Sequence, residues 1–230
     1  MREGEGQDIL LLHGYLSKKE SFYYQIKFLS RFYRVTAPDF PAFGASAPIT
    51  SAWSVGDYCD WLDKFIKAAG LNKPVIIAHS FGARVAIKYL SSRPCAAEKL
   101  IITGGAGIVK PRSKKYLRRV KAYRIVKKFF PKLAEKKFGS KEYRTLPPVM
   151  RESYKKIVNE DLKDCAKEIR CKTLLLYGAD DTVTPADEEG KIFNSLIPCS
   201  ELKILQGGHF CFSENPAPFN DAVYKFLNGD

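Results

Sequence analysis

The sequence has no long hydrophobic run. Its most apolar stretches, ILLL at 9–12 and VIIA at 75–78, have the length of buried strands. They fall far short of the roughly 20 apolar residues that a transmembrane helix needs. The opening MREGEGQD lacks the basic and then apolar layout of a secretory signal peptide, and the C-terminal residues carry no lipidation motif. We therefore expect a cytoplasmic protein.

The chain is also poor in histidine, and its cysteines form no metal-binding or disulfide pattern. The three histidines are His13, His79 and His209, and no C-x-x-C pair occurs among the six cysteines. This argues against a zinc site and, without an export signal, favours reduced thiols that are mostly buried. We expect no metal ion and no other cofactor.

Acidic residues are scarce in one internal segment. The chain carries 38 Lys and Arg against 25 Asp and Glu, a net charge of +13. Residues 110–156, here called the basic segment, hold 18 basic residues against three acids, whereas the rest of the chain nets −2. Within it, residues 113–130 predict an amphipathic helix. Its apolar stripe consists of Tyr116, Val120, Tyr123, Val126 and Phe130.

Short, continuously apolar stretches alternate with helical patterns on both sides of the basic segment. The strand candidates are Ile9–His13, Arg34–Ala37, Val75–His79, Leu100–Thr103, Thr173–Tyr177 and Leu202–Leu205. The helix candidates are Glu20–Arg31, Ser54–Gly70, Phe81–Ser91, a helix through Tyr154 and Ile157, Ala186–Ser195 and Pro218–Leu227. Continuous apolar character is typical of strands covered on both faces. The alternation predicts one α/β domain with a doubly wound, mostly parallel sheet.

A serine stands at the corner between the third predicted strand and the following helix, in AHSFG at 78–82. Reactive groups gather at the carboxyl ends of parallel strands, and the amides that open a helix favour developing negative charge. So tight a corner needs small residues two before and two after the serine, which Ala78 and Gly82 supply. Taken alone, the pattern fits a plain turn as well as a nucleophile.

Together with four further stretches in the same order, the corner resembles the α/β-hydrolase superfamily of serine hydrolases over essentially the whole chain. LLLHGY at 10–15 looks like its H-G motif, and APDFPAFGAS at 37–46 looks like its D-x-P-G-x-G-x-S loop with Ala42 in place of the first glycine. LLLYGADDTVTP at 174–185 resembles the stretch with the catalytic acid, and GGHFCFSENP at 207–216 the one with the catalytic histidine.

The resemblance implies a catalytic triad of Ser80, Asp181 and His209. Ser80 would attack a carbonyl, His209 would carry its proton, and the carboxylate would orient the imidazole. Asp181 lies three residues after Gly178 and four residues before a proline, and this spacing favours it over its neighbour Asp180.

The resemblance also implies an oxyanion hole and a lid. The backbone N–H groups of Tyr15 and Phe81 would hold the oxyanion. In this family an insertion after the present fourth strand forms the lid, which places a basic helical lid at 108–165 and the core at 1–107 and 166–230. The acyl pocket would then be lined by Tyr116, Tyr123 and Phe130.

The family commonly begins with a β-hairpin, but only about eight residues precede the first predicted strand. We therefore predict about six parallel strands in the spatial order 2-1-3-4-5-6, without that hairpin.

These observations predict a serine hydrolase that cleaves a small or medium acyl ester through an acyl-enzyme. An acyl thioesterase or a carbon–carbon bond hydrolase would use the same triad. The alternative of another class is a non-catalytic relative whose basic lid binds anionic lipid or another anionic partner. The basic segment is read as a solvated face, or as attracting an anionic substrate or, weakly, an anionic membrane surface. Nucleic acid is not expected as a partner, because it would leave the catalytic motifs without a use.

Overall fold

A computed structural model describes residues 1–109, 118 and 145–229. In this part of the chain seven strands form one sheet, in the order β1-β3-β2-β4-β5-β6-β7. Every neighbouring pair from β3 to β7 is parallel. The strands are β1 (Arg2–Glu3), β2 (Asp8–Leu12), β3 (Arg34–Thr36), β4 (Val75–His79), β5 (Lys99–Thr103), β6 (Lys172–Gly178) and β7 (Ser200–Leu205).

The six predicted strands are all present, and their predicted order is confirmed. The prediction missed β1, which pairs antiparallel with β3, with Arg2 opposite Thr36 and Glu3 opposite Val35. A strand of two residues is too short to show a period of two in its sequence. The residues ahead of β2 thus supply one short strand instead of a hairpin.

The helices cover both faces of the sheet. Those with both ends in the described residues are α1 (Tyr23–Leu29), α2 (Val55–Ala68), α3 (Phe81–Ser92), α4 (Pro148–Val158), α5 (Lys163–Lys167), α6 (Lys191–Leu196), α7 (Cys211–Glu214) and α8 (Pro216–Asn228). A capping box opens α2, with Asp57 N donating to Ser54 Oγ at 3.3 Å and Ser54 N to Asp57 Oδ2 at 2.6 Å. Two predicted helices are divided, because a 3₁₀ turn at Lys19–Phe22 precedes α1 and a π-helical turn at Ala186–Gly190 precedes α6.

Two buried clusters account for the continuous apolar character of the strands. On β2, Leu10 and Leu12 belong to the cluster under α2 and α3, whereas Ile9 and Leu11 belong to the cluster under α1 and α8. Both sides of each central strand are therefore covered, as a parallel sheet requires.

Part of the basic segment, with the helix predicted over 113–130, lies outside the described residues. Its C-terminal end is α4, where a helix through Tyr154 and Ile157 was predicted. The expectation of mostly buried thiols is wrong, since Cys59 and Cys211 are buried but Cys95 and Cys199 are exposed. Within the described ranges, no helix combines the length and the apolar character needed to cross a bilayer.

Replacing Gly82 by alanine should destabilise the fold. A Cβ atom at Gly82 would lie 2.2 Å from the carbonyl oxygen of Leu12, so α3 or β2 would have to move. We expect Gly82→Ala to lower the free energy of unfolding by about 1–3 kcal/mol, as overpacking does.

The matched control is Gly56→Ala, because a Cβ atom there meets nothing closer than 3.5 Å and lies on a helix. This variant should keep or raise the free energy of unfolding, by up to about 1 kcal/mol. Urea unfolding followed by tryptophan fluorescence measures both variants. Equal stabilities of the two variants would contradict the close-contact argument.

Candidate active site

Ser80 is the single residue between β4 and α3, and its backbone takes φ 49° and ψ −103°. A positive φ is strained for a residue with a Cβ atom, and such strain persists only where the surrounding structure imposes it. Here the backbone N–H of Ser80 donates to Thr103 O at 3.2 Å, which extends the pairing of β4 with β5. The corner thus holds a serine in a fixed, strained position at the carboxyl end of a central strand.

His209 and Asp181 form a hydrogen-bonded pair, with 2.8 Å between Nδ1 and Oδ2. Asp181 Oδ1 accepts hydrogen bonds from the N–H groups of Val183 and Thr184 at 2.8 and 2.9 Å. Asp181 Oδ2 also accepts one from the Thr184 hydroxyl at 2.8 Å. The neighbouring Asp180 is exposed, so Asp181 is the carboxylate that faces the imidazole.

These contacts favour the charged form of Asp181. Burial raises the pKa of Asp181, but the hydrogen bonds from His209 and Thr184 outweigh burial and lower that pKa below its usual value. Asp181 is therefore ionised at neutral pH and accepts the Nδ1 proton of His209. In a neutral ring this leaves Nε2 of His209 as the acceptor nitrogen. His209 and Ser80 border the same cavity.

The buried imidazole of His79 packs behind this pair. Its ring centroid lies 4.7 Å from that of His209, and its Nε2 lies 3.0 Å from the carbonyl oxygen of His209. That contact makes Nε2 the donor, and Nδ1 has no hydrogen-bond partner among the described residues. Burial, reinforced by the charge of His209, lowers the pKa of His79 to about 3, so the ring is neutral at physiological pH.

His13 forms hydrogen bonds with two loops beside the site. His13 Nδ1 lies 2.8 Å from Gly14 O, and its Nε2 accepts from the N–H of Phe40 at 3.0 Å. This joins the H-G turn after β2 to the loop at 37–46. In that loop Ala42 takes φ 70°, a left-handed conformation that explains why glycine is usual at this place.

The residues predicted as oxyanion donors meet beside Ser80. Tyr15 follows β2 and Phe81 opens α3, and their ring centroids are 5.5 Å apart. The first amides of a helix have no partner within it, so the N–H of Phe81 is not used by α3 itself. Both residues border the cavity with Ser80.

The cavity has a volume of about 410 Å³ and is largely apolar. One wall comes from the chain before and within α4, where Leu146, Tyr154, Ile157 and Val158 face it. The Tyr15 hydroxyl donates to Met150 O at 3.2 Å and ties this wall to the turn after β2. The predicted pocket residues lie outside the described residues, namely Tyr116, Tyr123 and Phe130.

Sequence reasoning did not name two charged residues of this cavity, Arg84 and Glu189. Both are buried, with 8% and 7% of their surface exposed. The position of Arg84, one helical turn after Ser80 on an otherwise apolar stretch, is a signal that could have indicated it. Glu189 lies in the π-helical turn, which no sequence pattern predicted.

A sheet of this order with a serine at the corner after a central strand defines the class of α/β-hydrolase folds. The model of the Alpha/beta hydrolase family matches residues 9–222, and the chain belongs to this family.

Curated relatives and solved structures are similar to the chain over most of its length. The chain is 25% identical to a "Probable 1-acylglycerol-3-phosphate O-acyltransferase" of Oryza sativa subsp. japonica, over 99% of this chain and 70% of the relative. An esterase from Exiguobacterium antarcticum superposes with a TM-score of 0.79 at 21% identity, covering 99% of this chain and 94% of that one. A meta-cleavage product hydrolase from Pseudomonas fluorescens IP01 gives a TM-score of 0.76 at 22% identity, covering 100% and 93%. The two structural likenesses show a shared fold.

The buried His79 should make the fold less stable as the pH falls. Its pKa is about 3 in the folded chain, against the ordinary value of 6.5. Below pH 6.5 the unfolded chain therefore binds a proton that the folded chain excludes. The contribution of His79 to the free energy of unfolding is therefore fully present above pH 6.5. As the pH decreases below 6.5, the free energy of unfolding decreases by up to about 1.4 kcal/mol per pH unit.

His79→Gln removes this titration and keeps a side-chain N–H for the carbonyl of His209. We expect a flatter slope of unfolding free energy between pH 6.5 and 5.0 in the variant than in the wild type. Urea titrations at four pH values in that window provide the measurement. Parallel slopes would show that His79 is protonated in the folded chain.

Proposed function

We propose that this protein is a serine hydrolase that cleaves small or medium acyl esters through an acyl-enzyme. The observation that carries the proposal is one cavity bordered both by Ser80, at its strained corner, and by His209, hydrogen-bonded to Asp181 at 2.8 Å. A nucleophile, a base and a group that orients the base are the parts that acyl transfer needs.

The first half-reaction forms the acyl-enzyme. Ser80 Oγ attacks the ester carbonyl while His209 Nε2 takes the hydroxyl proton, and Asp181 stabilises the imidazolium. The N–H groups of Tyr15 and Phe81 hold the oxyanion; each such donor is worth about 3–4 kcal/mol of transition-state stabilisation in other enzymes. When the tetrahedral intermediate collapses, His209 returns the proton to the leaving alcohol.

Water completes the reaction. His209, now neutral again, removes a proton from a water molecule that attacks the acyl-enzyme. Collapse of the second intermediate returns that proton to Ser80 and releases the carboxylic acid. Thioesters and some carbon–carbon bonds break by the same route, and the fold shared with a meta-cleavage product hydrolase keeps the latter chemistry as an alternative.

Acyl transfer to an alcohol is a second candidate function. It is favoured by the similarity, over nearly the whole chain, to the rice protein named as an acyltransferase. Transfer differs from hydrolysis only in that an alcohol attacks the acyl-enzyme in place of water. Adding 1-acylglycerol-3-phosphate to an ester assay separates the two, because transfer would divert the acyl group into a diacyl product.

Covalent labelling tests the nucleophile directly. A fluorophosphonate should add one label to the wild type, detected by intact mass, and none to Ser80→Ala, because the probe reacts with an activated serine. Labelling of both proteins would place the reactive group elsewhere. A folded wild type that stays unlabelled would favour the non-catalytic alternative.

Adjacent carboxylates give a matched test of the acid. Asp181→Asn should lower kcat/KM for p-nitrophenyl butyrate by about 10³–10⁴-fold, as the loss of the orienting carboxylate does in serine proteases. Asp180→Asn, which changes an exposed side chain next to it, should stay within twofold of the wild type. Similar losses in the two variants would contradict the assignment of the acid to Asp181.

We also propose that the basic segment associates weakly with anionic membrane surfaces, on the basis of its 18 basic residues against three acids. The protein should sediment with vesicles rich in phosphatidylserine and not with phosphatidylcholine vesicles. Because the attraction is electrostatic, 0.5 M salt should release it. Equal sedimentation with the phosphatidylserine-rich and the phosphatidylcholine vesicles would overturn this role.

A further inference from the structure

Arg84 is a buried cation inside the cavity. It lies in the first turn of α3, and 8% of its surface is exposed. Arg84 follows Ser80 by four residues, and Ser80 directly precedes the helix. Both border the same cavity.

The guanidinium uses only part of its hydrogen-bonding capacity in the protein. Its Nη1 donates to Ile157 O at 2.9 Å, in the last turn of α4, and to Glu160 O at 3.0 Å, just beyond the end of α4. A guanidinium has five N–H donors, of which Nη1 supplies two. Nε and Nη2 have no partner among the described residues. Neither is among the buried unpartnered atoms, so neither is fully shielded, and the residue borders the cavity.

The acids around Arg84 are engaged by other groups. Glu160 pairs with Lys88, Asp161 with Lys163, and Glu189 accepts from the N–H of Gly107 at 3.2 Å. In the described part of the chain, none of these carboxylates forms an ion pair with Arg84. Burial lowers the pKa of Arg84, partly offset by Glu189, yet a guanidinium stays charged at any physiological pH.

A buried cation without a paired anion is unfavourable, and an incoming anion relieves that penalty. A carboxylate matches the two remaining edges of a guanidinium, because it accepts two parallel hydrogen bonds from one. The apolar walls of the cavity then surround the chain that links this carboxylate to the reacting carbonyl.

We propose that Arg84 is an anion-recognition residue and that the substrate class is esters with a carboxylate a short chain away from the scissile carbonyl. The proposal rests on the serine hydrolase function. Because Ser80 and Arg84 border one cavity of about 410 Å³, the chain between the carboxylate and the scissile carbonyl is short.

The test compares charged and neutral esters of the same length. If the carboxylate belongs to the acyl part of the substrate, wild-type kcat/KM should be at least tenfold higher for monoethyl adipate than for ethyl hexanoate. If it belongs to the alcohol part, the same preference should appear between an ester whose alcohol part ends in a carboxylate and the neutral ester of the same length. In Arg84→Gln the preferred ratio should fall by at least tenfold. No preference for either charged ester in the wild type would overturn the proposal.

Lys88→Gln is the matched control. Lys88 lies one turn further along α3 and holds the same segment through Glu160, but it does not border the cavity. If Arg84 serves only as a clamp on the end of α4, both variants will lose stability and neither will change the charge ratio. If Arg84 recognises the anion, only Arg84→Gln will change the ratio.

Protection from labelling separates this proposal from the hydrolase function. Adipate should slow fluorophosphonate labelling of the wild type, and at least tenfold more adipate should be needed in Arg84→Gln. Labelling that adipate does not slow in the wild type would overturn anion recognition while leaving the serine nucleophile intact. Absence of any labelling would instead count against the hydrolase function itself.

Discussion

The strained corner at Ser80 is the constraint on which the rest of the site depends. Because one residue connects β4 to α3, the helix must start against the end of the sheet, and Gly82 touches the carbonyl of Leu12 at the end of β2. That contact brings the turn after β2 next to the first amides of α3. Tyr15 and Phe81 meet there, and their rings pack edge to face with centroids 5.5 Å apart.

The parallel sheet supplies the other half of the arrangement. β6 and β7 are neighbours, so the turn with Asp181 and the turn with His209 leave the same edge side by side. His79, which precedes Ser80 on β4, donates to the carbonyl of His209 and joins the two halves. The polar groups of the site are thus positioned by the ends of neighbouring strands. The apolar residues of those strands determine the distances between the polar groups.

The sequence predicts the central sheet well because each central strand must be apolar on both faces. It also distinguishes Asp181 from Asp180 by their spacing to Gly178, and the hydrogen bond to His209 agrees with that choice. β1 could not be predicted, since backbone pairing over two residues requires no side-chain pattern. Arg84 stands out as a charge on an apolar stretch, but its partners Ile157 and Glu160 are more than 70 residues away in the chain, so its contacts could not be predicted.

The two hydrogen bonds from Arg84 Nη1 have a consequence for how this pocket can evolve. The same side chain fastens the end of α4 and presents its remaining donors to the cavity. A lineage that exchanged it for an apolar residue would alter ligand preference and loosen one wall in a single mutational step. Such a change would persist only alongside a second substitution that restores the anchoring of α4, so specificity at this position is coupled to stability by epistasis.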